Sequence, residues 1–279
     1  MRVISQKTIE NWKNHLIEDE KSLATTEKYI RDITAFSNWL DGRAAEKKLV
    51  LEYKESLIKS YAPSSVNSML SSLNSFFTFM EWYGLRVRTL KIQKQIFSSP
   101  EKELTRAEYM RLLNSAKKKG NRKLYLIMQT ICAMGIRVSE LKFVTVESLA
   151  VKKANINMKG KMRTIIIPND LCKMLATYAK CQKISKGSIF VSKNGRPMDR
   201  SNIWKLMKAL CKAANVAKEK VFPHNLRHLF ARTFYSIQKD VVRLADILGH
   251  SNVNTTRIYT METGEEHRRL IQKLGLLQC

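Results

Sequence analysis

Residues 222–236 read FPHNLRHLFARTFYS, and residues 244–260 read LADILGHSNVNTTRIYT. Pro223 suits the first position of a helix, because the N–H it lacks is one that a first turn leaves unpaired anyway. On the helix it begins, His224 and Arg227 stand three residues apart and project from one face. An imidazole and a guanidinium on one face can hold a phosphate, although the same pair is common on ordinary basic helix surfaces. His228 makes an i, i+4 histidine pair with His224, a spacing used for metal. Asn225 stands where the zinc-protease motif carries glutamate, and no third ligand has a matching spacing, so no metal site is expected. In the second stretch Gly249 ends a helix over DVVRLADIL, His250 follows it, and Tyr259 falls near the end of the next helical segment.

The charge around these stretches is large and lopsided. The 279-residue chain carries 50 Lys plus Arg against 24 Asp plus Glu, a net +26. Residues 1–98 hold 15 basic and 11 acidic side chains, a net +4, whereas 99–279 hold 35 and 13, a net +22. Such an excess calls for a polyanionic partner, and it places the anion-binding work in the C-terminal two thirds. The charges are spread through well-patterned segments and are not gathered in a tail or one amphipathic helix, which argues against a membrane-surface protein. The apolar stretches, such as YLIMQTICAMGI at 125–136, are too short and interrupted to span a bilayer. The N-terminal MRVISQKTIENW has no apolar core with a small-residue cleavage site, so a cytoplasmic, nucleoid-associated location is expected, with no membrane partner. The five cysteines, at 132, 172, 181, 211 and 279, form no C-x-x-C pair. They are expected as four buried or half-buried thiols and a terminal one, without a disulfide framework.

Hydrophobic periodicity divides the chain. Ile9, Trp12, Leu16 and Ile17 recur at helical spacing, as do Tyr29, Ile33, Phe36 and Leu40, and then Val66, Leu70, Leu73, Phe76, Phe77 and Met80. Residues 1–97 are therefore expected to form a small all-helical domain. Periodicity lapses around Ser98-Ser99-Pro100, which predicts a linker over 98–104. Thr105 with Glu108 resembles a capping box, so a second domain is expected over 105–279. Its first helical run, 122–146, is interrupted at Gly135. Residues 154–170, ANINMKGKMRTIIIPND, change to β character, with a Lys-Gly-Lys turn between two strands and Pro168 ending the second. Helices follow over 170–179, 201–216, 224–237, 240–249 and 254–264. The fold class is mainly α with a small β-sheet in the C-terminal domain.

Two more elements complete a pattern. Arg137 follows the Gly-Ile step of GIRVSEL, with Glu140 one turn on; an ordinary helix salt bridge accounts for that pair equally well. The Lys-Gly-Lys turn presents a lysine at a hairpin tip, a position that an ordinary solvated turn also fits. The set of Arg137 in GIRVSEL, a lysine in KGKMR, His224 and Arg227 in HNLRH, His250 in LGH and Tyr259 in TTRIYT resembles the tyrosine recombinases, or phage integrases, closest to the Xer-type and transposon integrases. The resemblance involves the order, spacing and flanks of six positions across 99–279. The N-terminal region resembles the family's SAM-like core-binding domain in length and pattern only.

The resemblance implies a two-domain recombinase, a helical core-binding domain plus an α+β catalytic domain, clamped on double-stranded DNA. Cleavage would pass through a 3′-phosphotyrosine on Tyr259, with no metal, no ATP and no cofactor. Arg137 and Arg227 would clamp the phosphate, a task that suits the rigid, always charged guanidinium fork. His224 would be the base, His250 a donor to the phosphate, and a hairpin lysine the acid for the departing 5′ oxygen. Relatives commonly read Gly-Lys-Gly there; aligning on Lys-Gly selects Lys159, whereas counting from the following strand selects Lys161. Glu140 would orient Arg137. Arg200, Lys205, Lys208 and Lys212 in RSNIWKLMKALCK would face DNA, in the groove or along phosphates. The apolar tail EEHRRLIQKLGLLQC implies a homo-tetramer on paired recombination sites, in a setting of integration, excision, inversion or resolution. Two other classes share the pattern: a type IB topoisomerase-like relaxing enzyme and a catalytically silent DNA-binding regulator. The charge distribution predicts a steep salt dependence. A protein contacting about 6–10 phosphates loses affinity with a log–log slope of about −5 to −9 in salt, and a slope shallower than about −2 in a titration with duplex DNA contradicts a phosphate-gripping C-terminal unit.

Overall fold

The computed structural model describes residues 2–92, 100–158, 161–192, 194–259 and 272–273. The chain divides into two compact units, Met1–Lys94 and Gln95–Cys279.

The first unit consists of four helices, α1 (Gln6–Glu18), α2 (Leu23–Leu40), α3 (Lys47–Ser60) and α4 (Pro63–Phe79), followed by a 3-10 turn at Tyr83–Leu85. Three of the four starts follow from local chemistry. Ser5 accepts the Thr8 N–H at 3.2 Å, Ser22 accepts that of Thr25 at 3.3 Å, and Pro63 opens α4. Trp12, Phe36, Phe76 and Phe77 are fully buried, and Trp12 meets Phe76 edge-on with centroids 5.1 Å apart. Ile17, next to Leu16, is 56% exposed, since a one-residue step on a helix turns a side chain off the buried stripe. The buried Asp32 is neutralised by Lys28 at 2.8 Å and accepts the Ser72 hydroxyl at 2.8 Å.

The second unit begins with α5 (Arg106–Lys118) behind a capping box: Thr105 Oγ1 accepts the Glu108 N–H at 3.2 Å, and Glu108 Oε2 accepts the Thr105 N–H at 2.8 Å. Glu103 and Leu104, at the end of the segment read as a linker, are fixed to this unit: Arg232 pairs with Glu103 and donates to the Leu104 carbonyl at 2.8 Å. Next come α6 (Arg122–Met134), a 3-10 turn at Val138–Phe143, and α7 (Val146–Ala150). The antiparallel hairpin of β1 (Lys153–Met158) and β2 (Lys161–Ile166) pairs Ile156 opposite Arg163. Then follow α8 (Asn169–Cys181), α9 (Arg200–Lys208), α10 (Cys211–Ala214), α11 (Pro223–Gln238) and α12 (Val241–Leu248). The core is continuous from Leu112 and Ile131 through Ile156 and Leu175 to Leu226. The hairpin alternates, with Ala154, Ile156, Ile165 and Ile167 buried and the residues between them exposed.

Three expectations are corrected. The helix read across 201–216 is broken, so Lys212 sits on α10 and not with Lys205 and Lys208 on α9. The helix expected across 254–264 is replaced, among the described residues, by 3-10 turns at Val253–Thr255 and Arg257–Tyr259. Run-on polar Asn and Thr residues favour local turns over helix there. Cys181 is exposed, since it closes α8 on its outer side; Cys172 and Cys211 are buried and Cys132 is half-buried.

Gly135 ends α6 in the left-handed region at φ +62°, and a Cβ there would lie 2.3 Å from the Phe230 ring of α11. Two helices thus approach at a point only glycine permits. Gly120, at φ +65°, has nothing within 4 Å. Substituting alanine at Gly120 meets only the backbone penalty of about 1–2 kcal/mol. Gly135→Ala adds an overpacking penalty of about 1–3 kcal/mol. Urea unfolding of both variants measures the difference, and equal losses would show that the Phe230 contact does not constrain the fold.

Candidate active site

Two segments, ending at Lys102 and at Lys220, meet the start of α11. Pro223 occupies its first position, and Asn225, 3% exposed, donates through Nδ2 to the carbonyls of Lys102 at 2.9 Å and Lys220 at 2.8 Å. That anchor fixes the register at which His224, Arg227 and His228 leave the helix.

Arg227 is 1% exposed. Its Nη1 donates to the Gly135 carbonyl at 2.8 Å, and its Nη2 donates to the Leu248 carbonyl at 2.7 Å and to His250 Nε2 at 2.9 Å. Its Nε has no hydrogen-bond partner. Burial first, and then the charge of Arg137, lower its pKa to about 10, which leaves it a cation at neutral pH. At the end of α12 the backbone closes with Gly249 N–H to Asp246 and His250 N–H to Ala245, both at 3.0 Å. The carbonyls of Ile247 and Leu248 are left over, and they are taken by Arg163 at 3.0 Å and by Arg227.

Glu140, 2% exposed, lies at the centre of the cations. Its carboxylate accepts the Arg137 N–H at 2.7 Å, Arg137 Nη1 at 3.0 Å and Arg163 Nη2 at 2.7 Å, with Arg227 Nη1 at 3.9 Å. Arg137 keeps its side chain 41% exposed. It lines an open cavity of about 810 Å³ together with Ser139, Arg200, Trp204, His224 and Arg227.

The histidines are held neutral. Arg227 Nη2 has no lone pair, so His250 Nε2 must accept, and its Nδ1 then carries the proton toward Thr256 Oγ1 at 2.8 Å. In that tautomer Nε2 does not donate, so the expected donation to a phosphate requires it to gain a proton or change partner. Burial, followed by the charges of Arg227, Arg137 and Arg163, brings the His250 pKa down to about 4. His228 is brought to about 4 by burial, then by His224 and Arg227, and its Nε2 has no hydrogen-bond partner. His224 presents an exposed edge at the cavity; desolvation of the remainder, then Arg227, Arg137 and Arg200, hold its pKa below 6.5.

Tyr259 is 3% exposed among Ala231, Leu244 and Leu248. Its ring stacks on His250 at 6.1 Å and 18°, and meets His228 at 4.7 Å and 88°; His228 in turn meets His224 at 4.4 Å. Arg137, Glu140, His224, Arg227, His250 and Tyr259 are therefore brought together. Lys159 lies outside the described residues, and Lys161 opens β2. Arg200 and Lys205 are exposed on α9; Lys208 lies over the Trp204 ring at 5.4 Å and bonds to the Lys218 carbonyl. Lys212 is exposed on α10. Sequence reasoning gave no role to Arg163 or Thr256. Strand parity, which aligns Arg163 with the buried Ile165 and Ile167, was the available signal for the first; nothing marked the second. Among the described residues no group of three or more His, Cys, Asp or Glu is placed to hold a metal ion, and no helix is long and apolar enough to cross a membrane.

Residues 102–266 match the model of the phage integrase family, and residues 9–84 match that of the phage integrase N-terminal SAM-like domain. The chain is 26% identical to tyrosine recombinase XerA of Pyrococcus furiosus, over 99% of this chain and 97% of that protein. Its fold is similar to that of a lambda integrase dimer bound to a COC′ core site, with a TM-score of 0.73 and 20% identity over 93% of this chain and 96% of that one. It is also similar to a lambda integrase tetramer bound to a Holliday junction, with a TM-score of 0.72 and 20% identity over 91% and 76%.

The histidine environments have a consequence for stability. An ordinary imidazole protonates near 6.5, whereas His228 and His250 do so near 4 in the folded chain. Between those values the unfolded chain binds more protons, so stability is lost as the pH falls from about 6.5 toward about 4 and is unaffected by these two residues above that window. Ring-proton NMR titration checks the premise: a His250 midpoint at or above 6.5 contradicts the Arg227 and Thr256 contacts.

Proposed function

The chain belongs to the phage integrase family, and on that premise we propose that it is a site-specific DNA recombinase whose nucleophile is Tyr259. The observation that carries the assignment is the Arg227 guanidinium at 2.9 Å from His250, with the Tyr259 ring stacked on that imidazole. A guanidinium, an imidazole and a phenol are thus held within one small cluster.

Cleavage is an in-line displacement at a DNA phosphorus. The Tyr259 oxygen forms a bond to phosphorus, the bond to the 5′ oxygen breaks, and a 3′-phosphotyrosine and a free 5′ hydroxyl result. The number of phosphoester bonds is unchanged, so rejoining to another 5′ hydroxyl requires no ATP. A free phenol ionises near pH 10, so attack needs a proton acceptor and a positive field. His224, kept neutral by desolvation and its cationic neighbours, accepts the proton. Arg137 and Arg227 stabilise the charge on the non-bridging oxygens, in surroundings where water does not screen them fully. His250 adds a donor once its Nε2 is protonated. The hairpin lysine, Lys159 or in its place Lys161, protonates the departing 5′ oxygen. Arg200, Lys205, Lys208 and Lys212 contact the duplex, Lys208 after giving up the Lys218 carbonyl. In the same reading the protein acts as a homo-tetramer on paired sites, joined by the apolar C-terminal tail, of which only residues 272–273 are among those described, and works in association with the nucleoid. The lambda integrase tetramer on a Holliday junction supports that assembly.

A nicked suicide duplex carrying a candidate recombination site tests the chemistry. Wild type is expected to give a denaturation-resistant protein–DNA adduct without divalent metal, and Tyr259→Phe none; an adduct from both removes Tyr259 as nucleophile. Arg137→Ala is expected to slow adduct formation about 10²–10³-fold. The wild-type rate should fall on the acid side only below pH 6.5, where His224 becomes protonated.

A further inference from the structure

Resting on the recombinase reading above, we infer that Arg163 is a positioning residue for the reaction, one that clamps the hairpin to both the Arg137 turn and the His250 turn. It stands in the middle of β2, paired across the hairpin with Ile156, and its side chain is 16% exposed. It does not line the cavity bounded by Arg137, His224 and Arg227, and both of its terminal nitrogens are taken up by protein acceptors. Its two terminal nitrogens divide between two elements. Nη2 donates to Glu140 Oε2 at 2.7 Å, and Nη1 donates to the Ile247 carbonyl at 3.0 Å, three residues before His250.

The surrounding chain is shaped to admit this side chain. Gly249 adopts φ +65°, and a Cβ there would lie 2.3 Å from Arg163 Nη1 and 2.6 Å from its Cδ. The glycine next to His250 therefore serves two ends, the left-handed turn and the passage of the guanidinium. Glu140 Oε2 receives Arg163 and the Arg137 N–H together, while Oε1 receives Arg137 Nη1. The direction of Arg137, which does face the cavity, thus depends on a carboxylate that Arg163 holds from the far side. One guanidinium holds the carboxylate that aims one reactive residue and a carbonyl three residues before another, and through the strand it joins both to the element that bears Lys161.

The geometry requires arginine. A planar fork reaches two acceptors on different elements at once, whereas a lysine ammonium satisfies one of them. Arg163→Lys, which keeps the charge, therefore separates clamping from simple electrostatics.

The test uses the full chain in four forms: wild type, Tyr259→Phe, Arg163→Gln and Arg163→Lys. Adduct formation on the nicked duplex is followed at saturating DNA, with DNA affinity and melting temperature measured on the same samples. Both Arg163 variants are expected to form adduct at least about tenfold more slowly, as for a small misplacement of reacting groups, with DNA affinity changed less than about threefold. Full activity of Arg163→Lys overturns the clamp, because charge alone would then suffice. So does a loss that only follows a lower melting temperature and weaker binding. Failure of the recombinase reading is recognised separately, by a missing wild-type adduct or by an adduct from Tyr259→Phe. The clamp is then judged on the protein without DNA, from the His250 ring signals. Their titration midpoint, about 4 in wild type, is expected to move up in both Arg163 variants as the turn loosens and hydrates. An unmoved midpoint in Arg163→Lys overturns the inference on its own.

Discussion

The arrangement of the second unit's site depends on one buried carboxylate. Glu140 faces Arg137, Arg163 and Arg227, so a single negative charge balances part of three positive ones. Burying like charges together is unfavourable unless other groups compensate them. Here the compensation comes from backbone carbonyls: Gly135 just past α6, and Ile247 and Leu248 at the end of α12. Carbonyls at helix C-termini lack intrahelical partners and lie at the negative end of the helix dipole, so they favour cations. Because carbonyls carry no full charge, the cluster stays net positive, which is the condition an anionic phosphate needs.

The same field governs the histidines. An imidazole among guanidinium groups with little water gains more from staying neutral than from adding another cation. For His224 that leaves a base available at neutral pH. For His250 the Arg227 and Thr256 contacts select the tautomer with the proton on Nδ1. Tyr259 is then packed between two neutral rings, His250 and His228, and not beside free imidazolium groups.

Much of this was legible in advance where the signal was local. Helix stripes such as Ile9, Trp12 and Leu16, the capping box at Thr105 and Glu108, Pro223 at a helix start and Gly249 at a helix end all follow from interactions within a few residues. The hairpin was legible for the same reason, since β-branched alternation and a Lys-Gly-Lys turn act over short range. Errors arose where local preference was weak. The stretch from 200 to 214 has a continuous apolar pattern but breaks between Lys208 and Cys211, and the Asn- and Thr-rich run before Tyr259 makes tight turns in place of a helix. Ile17 shows a smaller limit: an apolar residue beside a buried stripe need not belong to it.

Residue types and their order, by themselves, determined that this chain is a basic, mainly helical, two-part protein carrying two arginines, two histidines and a tyrosine in the pattern of a tyrosine recombinase, because short-range periodicity, capping and motif spacing are written in consecutive residues. What only the tertiary structure decided is how those residues are held. Arg163 and Glu140 are 23 positions apart, and Arg227 and Gly135 are 92 apart, yet each pair is in hydrogen-bond contact. The partner of a buried guanidinium is whichever carbonyl or carboxylate the packed helices bring to it, and no spacing along the chain encodes that choice.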